Sequence, residues 1–430
     1  MRGLLDNLAD PLPRLFIQFL VILAAARACG ALARKAGQPA VIGEMAAGIL
    51  LGPSFLGWIW PAATGFVFPP GSLATLSLLS QTGVCLFMFI VGMELTPGHL
   101  EDHARTALVV SQTGIVVPFA IGLFVATLLY PTFAAPGAAF LPFALFIGIS
   151  LSITAFPVLA RILDERRLTR TRLGGLALAC AAAGDVSAWC VLALVVAVVK
   201  SGAAGPAAVT VLLALVFASF MWWVVRPLTP RWFGEHVPAQ DAAAGGLVAR
   251  SIMLLLAAAL ATQLIGIHSL FGAFLAGVVM PPRGEVRDYL KIRLEHFTSG
   301  FLLPLFFASV GLRAHINALD SPYLWLVWAG ITLAATLGKI GSTMLSGRWA
   351  GLSSGDAFSL GALMNTRGLV ELVALNIGYD LGILPARIFT ILVLMALFTT
   401  ALTVPLLELQ LRRRAAGGRP GPPSDGGLAA

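Results

Sequence analysis

Five ionisable side chains stand inside long apolar stretches of the sequence: Glu44, Asp185, Lys339, Arg367 and Glu371. A charged group at mid-bilayer costs roughly 2.5–3.5 kcal/mol on insertion scales, so each one that persists there is read first as functional. Asp185 lies in LACAAAGDVSAWCVLALVV, among small and apolar residues that offer no local partner. A lone buried carboxylate can hold a proton or a small cation, and binding one expels the other, which is the chemistry of exchange. The competing reading is a carboxylate locked in a structural ion pair. Lys339, in ATLGKIGSTML, has the charge for a pair with Asp185 that breaks when a cation arrives. Its alternative is to snorkel, with an apolar stem and an ammonium at the cytoplasmic interface. Arg367 and Glu371 are four residues apart and share a helix face, so they pair with each other or take part in transport. Glu44, near the cytoplasmic end of its stretch, reads as interfacial.

Two further segments carry oxygen ligands. In SLSITAFPVLARIL, Pro157 lacks the N–H of a regular helix and frees a carbonyl about one turn earlier. That carbonyl and the Ser152 and Thr154 hydroxyls are hard ligands suited to Na+ or K+, with Asp185 as the anionic ligand. In LMNTRGLVELV, Gly368 stands at the matching place, beside Asn365 and Thr366. Two such broken helices, crossing, bring opposed dipole ends together and call for compensating charges. The six histidines (His99, His103, His236, His268, His296, His315) fall in loops or at the ends of apolar stretches and read as solvated, with pH sensing as the other reading. Cys29, Cys85, Cys180 and Cys190 lie within apolar stretches without a CxxC pair, against disulfides and cysteine-bound metal. No HExxH occurs, and no Ser/His or Asp/Asp pair points to an intramembrane hydrolase.

The elements that must position these residues follow from composition. Of 430 residues 58% are hydrophobic and 11% charged, with mean hydropathy +0.90. Soluble domains carry roughly 25% charged residues, which excludes a water-soluble enzyme. At about 20 residues per crossing, thirteen helices are expected: about 14–33, 40–57, 72–95, 105–130, 139–163, 172–199, 206–227, 247–266, 268–281, 297–312, 322–345, 355–378 and 385–410. With the N-terminus outside, twenty Lys and Arg fall on the cytoplasmic side and five on the outer side, leaving Arg27, Lys339 and Arg367 within spans. The net charge of +8 is therefore a topology signal rather than a nucleic-acid footprint. The start of the chain reads as a first helix without a cleavable signal. Residues 1–411 form one membrane domain, and the Gly/Pro-rich 412–430 reads as a disordered cytoplasmic tail.

Internal similarity adds an architecture. Residues 42–53 (IGEMAAGILLGP) match 271–282 (FGAFLAGVVMPP), 86–92 (LFMFIVG) match 305–311 (LFFASVG), and 154–159 match 366–372 more weakly. The matching spans run in opposite directions in the thirteen-span topology, so an inverted repeat of spans 2–6 and 9–13 is expected, with the site where the broken helices meet. The fold class is all-α and polytopic.

At these residues the chain resembles the cation:proton antiporter-2 family, Na+/H+ and K+/H+ exchangers, near the branch of the plant cation/H+ exchangers. GQPAVIGEMAAGILLGPSFLG, LFMFIVGMEL, SITAFPVLARIL, GDVSAWCVLAL, LFFASVGL, LGKIGSTM and NTRGLVELVALNIG carry the likeness, in order, over roughly residues 14–410. The resemblance implies a homodimer in a bacterial plasma membrane, serving pH homeostasis. In it a core bundle (about 104–200 and 322–410) moves like an elevator against a dimerisation scaffold (about 14–95 and 247–312). It implies Asp185 as the shared cation and proton site, Thr154 at the broken-helix crossing and Lys339 as the core lysine, with no cofactor beyond the transported ions. Many relatives have Asp-Asp or Asn-Asp where this chain has Gly184-Asp185, and the potassium-efflux branch carries a cytosolic nucleotide-binding domain that this sequence lacks. The alternatives are a sodium-coupled organic anion symporter of the same fold and a non-transporting membrane sensor subunit.

Overall fold

A computed structural model describes residues 10–94, 104–169, 171–201, 204–234, 237, 241–281 and 284–416. Every regular element among them is helical. An apolar chain in lipid has no water to satisfy its backbone, and a helix pairs its N–H and C=O groups within one segment. The principal helices are α1 (Pro11–Lys35), α2 (Ala40–Leu51), α3 (Pro70–Glu94), α4 (Ala104–Phe133), α5 (Phe140–Ser152), α6 (Phe156–Glu165), α7 (Arg172–Ser201) and α8 (Ala204–Phe220). They are followed by α9 (Asp241–Ile265), α10 (Ser269–Val278), α11 (Glu285–Phe297), α12 (Leu303–Arg313), α13 (Pro322–Trp349), α14 (Ser354–Met364), α15 (Leu369–Asp380) and α16 (Ala386–Ala416). A π turn over Met221–Val225 carries α8 on to Phe233, and another over Thr298–Leu302 joins α11 to α12.

Among the described residues eleven helical segments are long and apolar enough to cross a membrane, and α14 with α15, bent by 42° at their break, makes a twelfth. The remaining expected span, the ninth at 268–281, holds only the ten-residue α10. At about 1.5 Å per residue it reaches about 15 Å, half the hydrocarbon thickness, because the chain leaves the helix ahead of Pro281 and Pro282. At the other end of the chain α16 continues to Ala416, into the segment expected to be tail. Residues 417–430, like His99, His103 and His236, lie outside the described residues.

The chain divides into two compact units. One comprises Met1–Ala33, Gly43–Gly98 and Trp189–Leu319, the other Arg34–Ile42, His99–Ala188 and Asp320–Ala430. In the first, the repeat seen in the sequence becomes a set of matched close contacts. A methyl group on Gly43 of α2 would lie 2.3 Å from the Cys29 carbonyl oxygen of α1, and one on the equivalent Gly272 of α10 would lie 2.0 Å from that of Ala258 in α9. Gly48 meets the Ala308 carbonyl of α12 at 2.3 Å, and its equivalent Gly277 meets the Phe89 carbonyl of α3 at 2.0 Å. Ala308 and Phe89 are themselves equivalent in the aligned segments 86–92 and 305–311. Each half thus lays its Gly-bearing helix on the other half's partner, and the contacts extend the repeat to α1 and α9. Small residues allow these backbones to touch.

Prolines inside helices leave a carbonyl four residues earlier without its helical donor. Side chains occupy these sites. Within the first unit Pro304 cannot serve Gly300, whose oxygen accepts from Arg27 Nη2 at 3.0 Å, and Pro230 cannot serve Arg226, whose oxygen accepts from Thr229 Oγ1 at 2.8 Å. Within the second, Pro405 cannot serve Ala401, whose oxygen accepts from Gln38 Nε2 at 3.2 Å.

Candidate functional site

Two broken helices meet in the second unit. The first stops as α5 at Ser152, runs extended from Ile153 to Ala155 and restarts as α6 at Phe156. Pro157 occupies the first turn of α6, where a missing N–H leaves no bond unmade, so the break lies just before it. The second stops as α14 at Met364 and restarts as α15 after Gly368. The unwound stretches bind each other: Thr154 Oγ1 donates to the Met364 carbonyl at 2.9 Å, and the Ala155 N–H to the Thr366 carbonyl at 3.0 Å. Gly368 permits this approach, since a methyl group there would stand 2.7 Å from Val158 Cγ2.

The exposed carbonyls at the end of α5 attract both buried cations. Arg367 places Nη1 on the Ser150 carbonyl and Nη2 on that of Leu151 at 2.8 Å, while Lys339 donates to the Ser152 carbonyl at 2.5 Å. Two positive charges therefore sit at the negative end of one helix dipole. The corresponding end of α14 receives only neutral donors: Thr154, the Asn365 and Thr366 backbone N–H groups, and no charged side chain among the described residues. The three α5 carbonyls are therefore engaged, while the carbonyl expected to be freed one turn before Pro157, that of Ile153, is a different group. The Ser152 hydroxyl donates to the Ile149 carbonyl of its own helix at 3.0 Å, which leaves its lone pairs as acceptors.

Arg367 also pairs with Glu371, Nη1 to Oε2 at 3.3 Å, as their spacing predicts. Glu371 stands in the first turn of α15, where a carboxylate complements the helix dipole. The Arg367 N–H donates to Thr400 Oγ1 at 2.9 Å, Thr400 returns its hydroxyl to the Arg367 carbonyl at 2.8 Å, and Asn365 Nδ2 reaches the Thr399 carbonyl at 3.4 Å. Through these bonds α16 holds the second unwound stretch in place. Thr366 adds a weaker contact to Thr403 at 3.5 Å.

Asp185 differs from the other three charges. It is 1% exposed, yet neither carboxylate oxygen has a hydrogen-bond partner. The Phe156 N–H that opens α6 acts on it from outside hydrogen-bonding geometry, and Lys339 acts on it electrostatically. The direct Lys339–Asp185 ion pair expected from the sequence does not form: the ammonium is committed to two carbonyls, those of Ser152 and of Gly114 at 2.7 Å. Snorkelling does not occur either, since Lys339 is 1% exposed. Around Asp185, Gln112 of α4 donates to Ser187 Oγ at 2.6 Å, and Gly184 leaves room, with Ser111 Cβ 3.9 Å from where a methyl group would stand. Glu44 is partly exposed in α2 and lies in the other unit.

Sequence reading did not single out Gly114, Gln112 or the α16 threonines. Only Gly114 left a signal, the proline four residues after it.

The arrangement joins a buried carboxylate with no direct bond, the positive end of a half helix, and a balancing pair of buried cations. It can accept one small positive charge, a proton or a metal ion, in place of bulk solvent.

Comparison with known proteins gives a consistent neighbourhood. Residues 20–409 match the family described as sodium/hydrogen exchanger, transmembrane. The chain is 40% identical over 389 residues to the Na+/H+ antiporter NhaS4 of Synechocystis sp., covering 90% of this chain and 95% of that protein. It is 40% identical to cation/H+ antiporter 17 of Arabidopsis thaliana, covering 94% of this chain and 49% of the relative, and 35% identical to K+/H+ antiporter 1 of Saccharomyces cerevisiae, covering 86% and 43%. The chain thus spans about half the length of these plant and yeast relatives. Among solved structures, the sodium proton antiporter MjNhaP1 of Methanocaldococcus jannaschii superposes with TM-score 0.61 at 14% identity, covering 94% of this chain and 98% of that one, a likeness of fold.

Proposed function

The chain belongs to the transmembrane sodium/hydrogen exchanger family, and from that premise we propose that it exchanges protons for Na+ or K+ at Asp185. One observation carries the reading: a fully buried carboxylate with both oxygens unpartnered, beside a half-helix N-terminus and two broken helices. A bare carboxylate in that position is costly, and a proton or a cation relieves the cost equally well. Because the two compete for the same oxygens, the site carries one or the other on each passage.

The formal charges fit this use. Asp185 and Glu371 balance Lys339 and Arg367, so the core is neutral with Asp185 empty and gains one charge with either ligand. Proton-loaded and cation-loaded forms therefore present the same charge to the membrane, and neither return trip is penalised relative to the other. Thr154 supplies a hydroxyl lone pair at the crossing, in keeping with a ligand role beside its bond to Met364.

For alternating access we propose that the unit holding α4–α6 and α13–α16 moves as the transporting body and that the other unit is the scaffold of a homodimer. The fixed network of Lys339, Arg367, Glu371 and the two breaks lies wholly in the first of these and would travel intact. With segment 268–281 counted as a crossing, as in the thirteen-span topology, the excess of Lys and Arg falls on one side and orients the chain with its C-terminus in the cytoplasm of a bacterial-type cell.

Everted membrane vesicles loaded with a pH-sensitive dye test the proposal. Adding Na+ or K+ to respiring vesicles should dissipate the proton gradient, and Asp185→Asn should abolish the response. An unchanged response in that variant overturns the assignment.

A further inference from the structure

Lys339 has two acceptors, and one of them exists because of a proline on another helix. Pro118 in α4 has no N–H, so the Gly114 carbonyl has no donor four residues on. Lys339 of α13 fills it at 2.7 Å, with its other bond to the Ser152 carbonyl at 2.5 Å. The same device recurs with a different purpose in GFLLP, where Pro304 frees the Gly300 carbonyl for Arg27. The Gly-x-x-x-Pro turns at 114–118 and 300–304 thus each present a carbonyl to a cationic side chain from another helix.

We propose that Pro118 is a positioning residue for the exchange: the carbonyl it frees at Gly114 holds the Lys339 ammonium on the backbone and so keeps it off Asp185. This rests on the reading of Asp185 as the shared site. The charged groups acting on Lys339 are Arg367 from the unwound stretch before α15, Glu371 from α15 and Asp185 from α7, while α4 and α5 offer it carbonyls. Of the negative groups, Glu371 already holds a cation, Arg367, through Oε2 with Oε1 unpartnered, while Asp185 has both oxygens unpartnered and no cation on either. An ammonium that loses the Gly114 acceptor therefore has Asp185 as its open alternative, and it would occupy the oxygens that a cation or proton needs.

Pro118→Ala restores an N–H that competes for Gly114. A hydrogen bond to a charged group is strong enough for its loss to change a competing equilibrium about tenfold. The expected result in the vesicle assay is an apparent KM for the cation raised about tenfold with the maximal rate retained. The pH profile should move to the acid side by about one unit, since the ammonium also disfavours the proton. In a Lys339→Ala background the same substitution should add nothing, and Pro304→Ala, which repairs the Gly300 turn, should leave KM and profile in place. A KM and profile within about twofold of the parent, or an equal effect with and without Lys339, would overturn the proposal. A detergent-melting double-mutant cycle of Pro118→Ala with Lys339→Ala gives a readout independent of transport. Non-additive melting is expected even if Asp185→Asn shows the exchange reading to be wrong, and additive melting refutes the Pro118–Lys339 link itself.

Discussion

Three of the four buried charges at the crossing, Lys339, Arg367 and Glu371, are explained by what they touch. Arg367 satisfies the Ser150 and Leu151 carbonyls and the Glu371 carboxylate at once, at 1% exposure. Arg367→Ala would strand two helix-end carbonyls and a buried carboxylate, and is expected to destabilise the protein by about 3–5 kcal/mol, read as a fall in detergent melting temperature. Glu371→Gln should cost less, because the amide keeps an acceptor for the guanidinium, and combining the two should cost less than their sum. The rarity of charge in an apolar chain made Asp185, Lys339, Arg367 and Glu371 conspicuous in the sequence, and the i, i+4 spacing foretold the Arg367–Glu371 pair. The partner of Lys339 was not legible. Sequence reveals that Pro118 leaves a carbonyl open, but which donor fills it depends on how α4 and α13 cross.

At the scale of elements, the breaks at Ile153–Ala155 and Asn365–Gly368 turn two spans into four half helices whose ends can meet. The crossing depends on closeness at Gly368. Gly368→Ala should force the stretches apart against Val158, costing about 1–3 kcal/mol and most of the exchange rate, and Val158→Ala should restore part of both. Gly184→Ala, with its nearest neighbour 3.9 Å away, should melt as the parent does. Pro157 and Gly368 marked both breaks in advance, because a residue without an N–H and one without a side chain are local signals. What sequence did not show is that the last carbonyls of α5, those of Ser150, Leu151 and Ser152, receive long cationic side chains from distant sequence. The ten-residue α10 fills only part of the expected span 268–281, because hydropathy continues through Val279 and Met280 after the helix has ended.

Across the whole molecule, the internal repeat legible in 42–53 and 271–282 returns as equivalent backbone contacts, Gly48 on Ala308 and Gly277 on Phe89. Neither contact admits a side chain, so Gly48→Ala and Gly277→Ala should lower stability in detergent by similar amounts, about 1–3 kcal/mol each. Gly175→Ala, where nothing stands within 4 Å, is the neutral comparison. The number of spans was less legible than their order, since every expected span has a helical counterpart although one, α10, is only ten residues long. What unites the scales is a single carboxylate that must always be filled by one of two ligands. The most direct test is the apparent KM for Na+ or K+ across a pH series in vesicles. For a shared Asp185 the KM should rise by about tenfold for each unit of acidification below the onset of competition, at constant maximal rate. A KM that stays fixed while the maximal rate falls with pH would place proton and cation on separate groups and contradict the account.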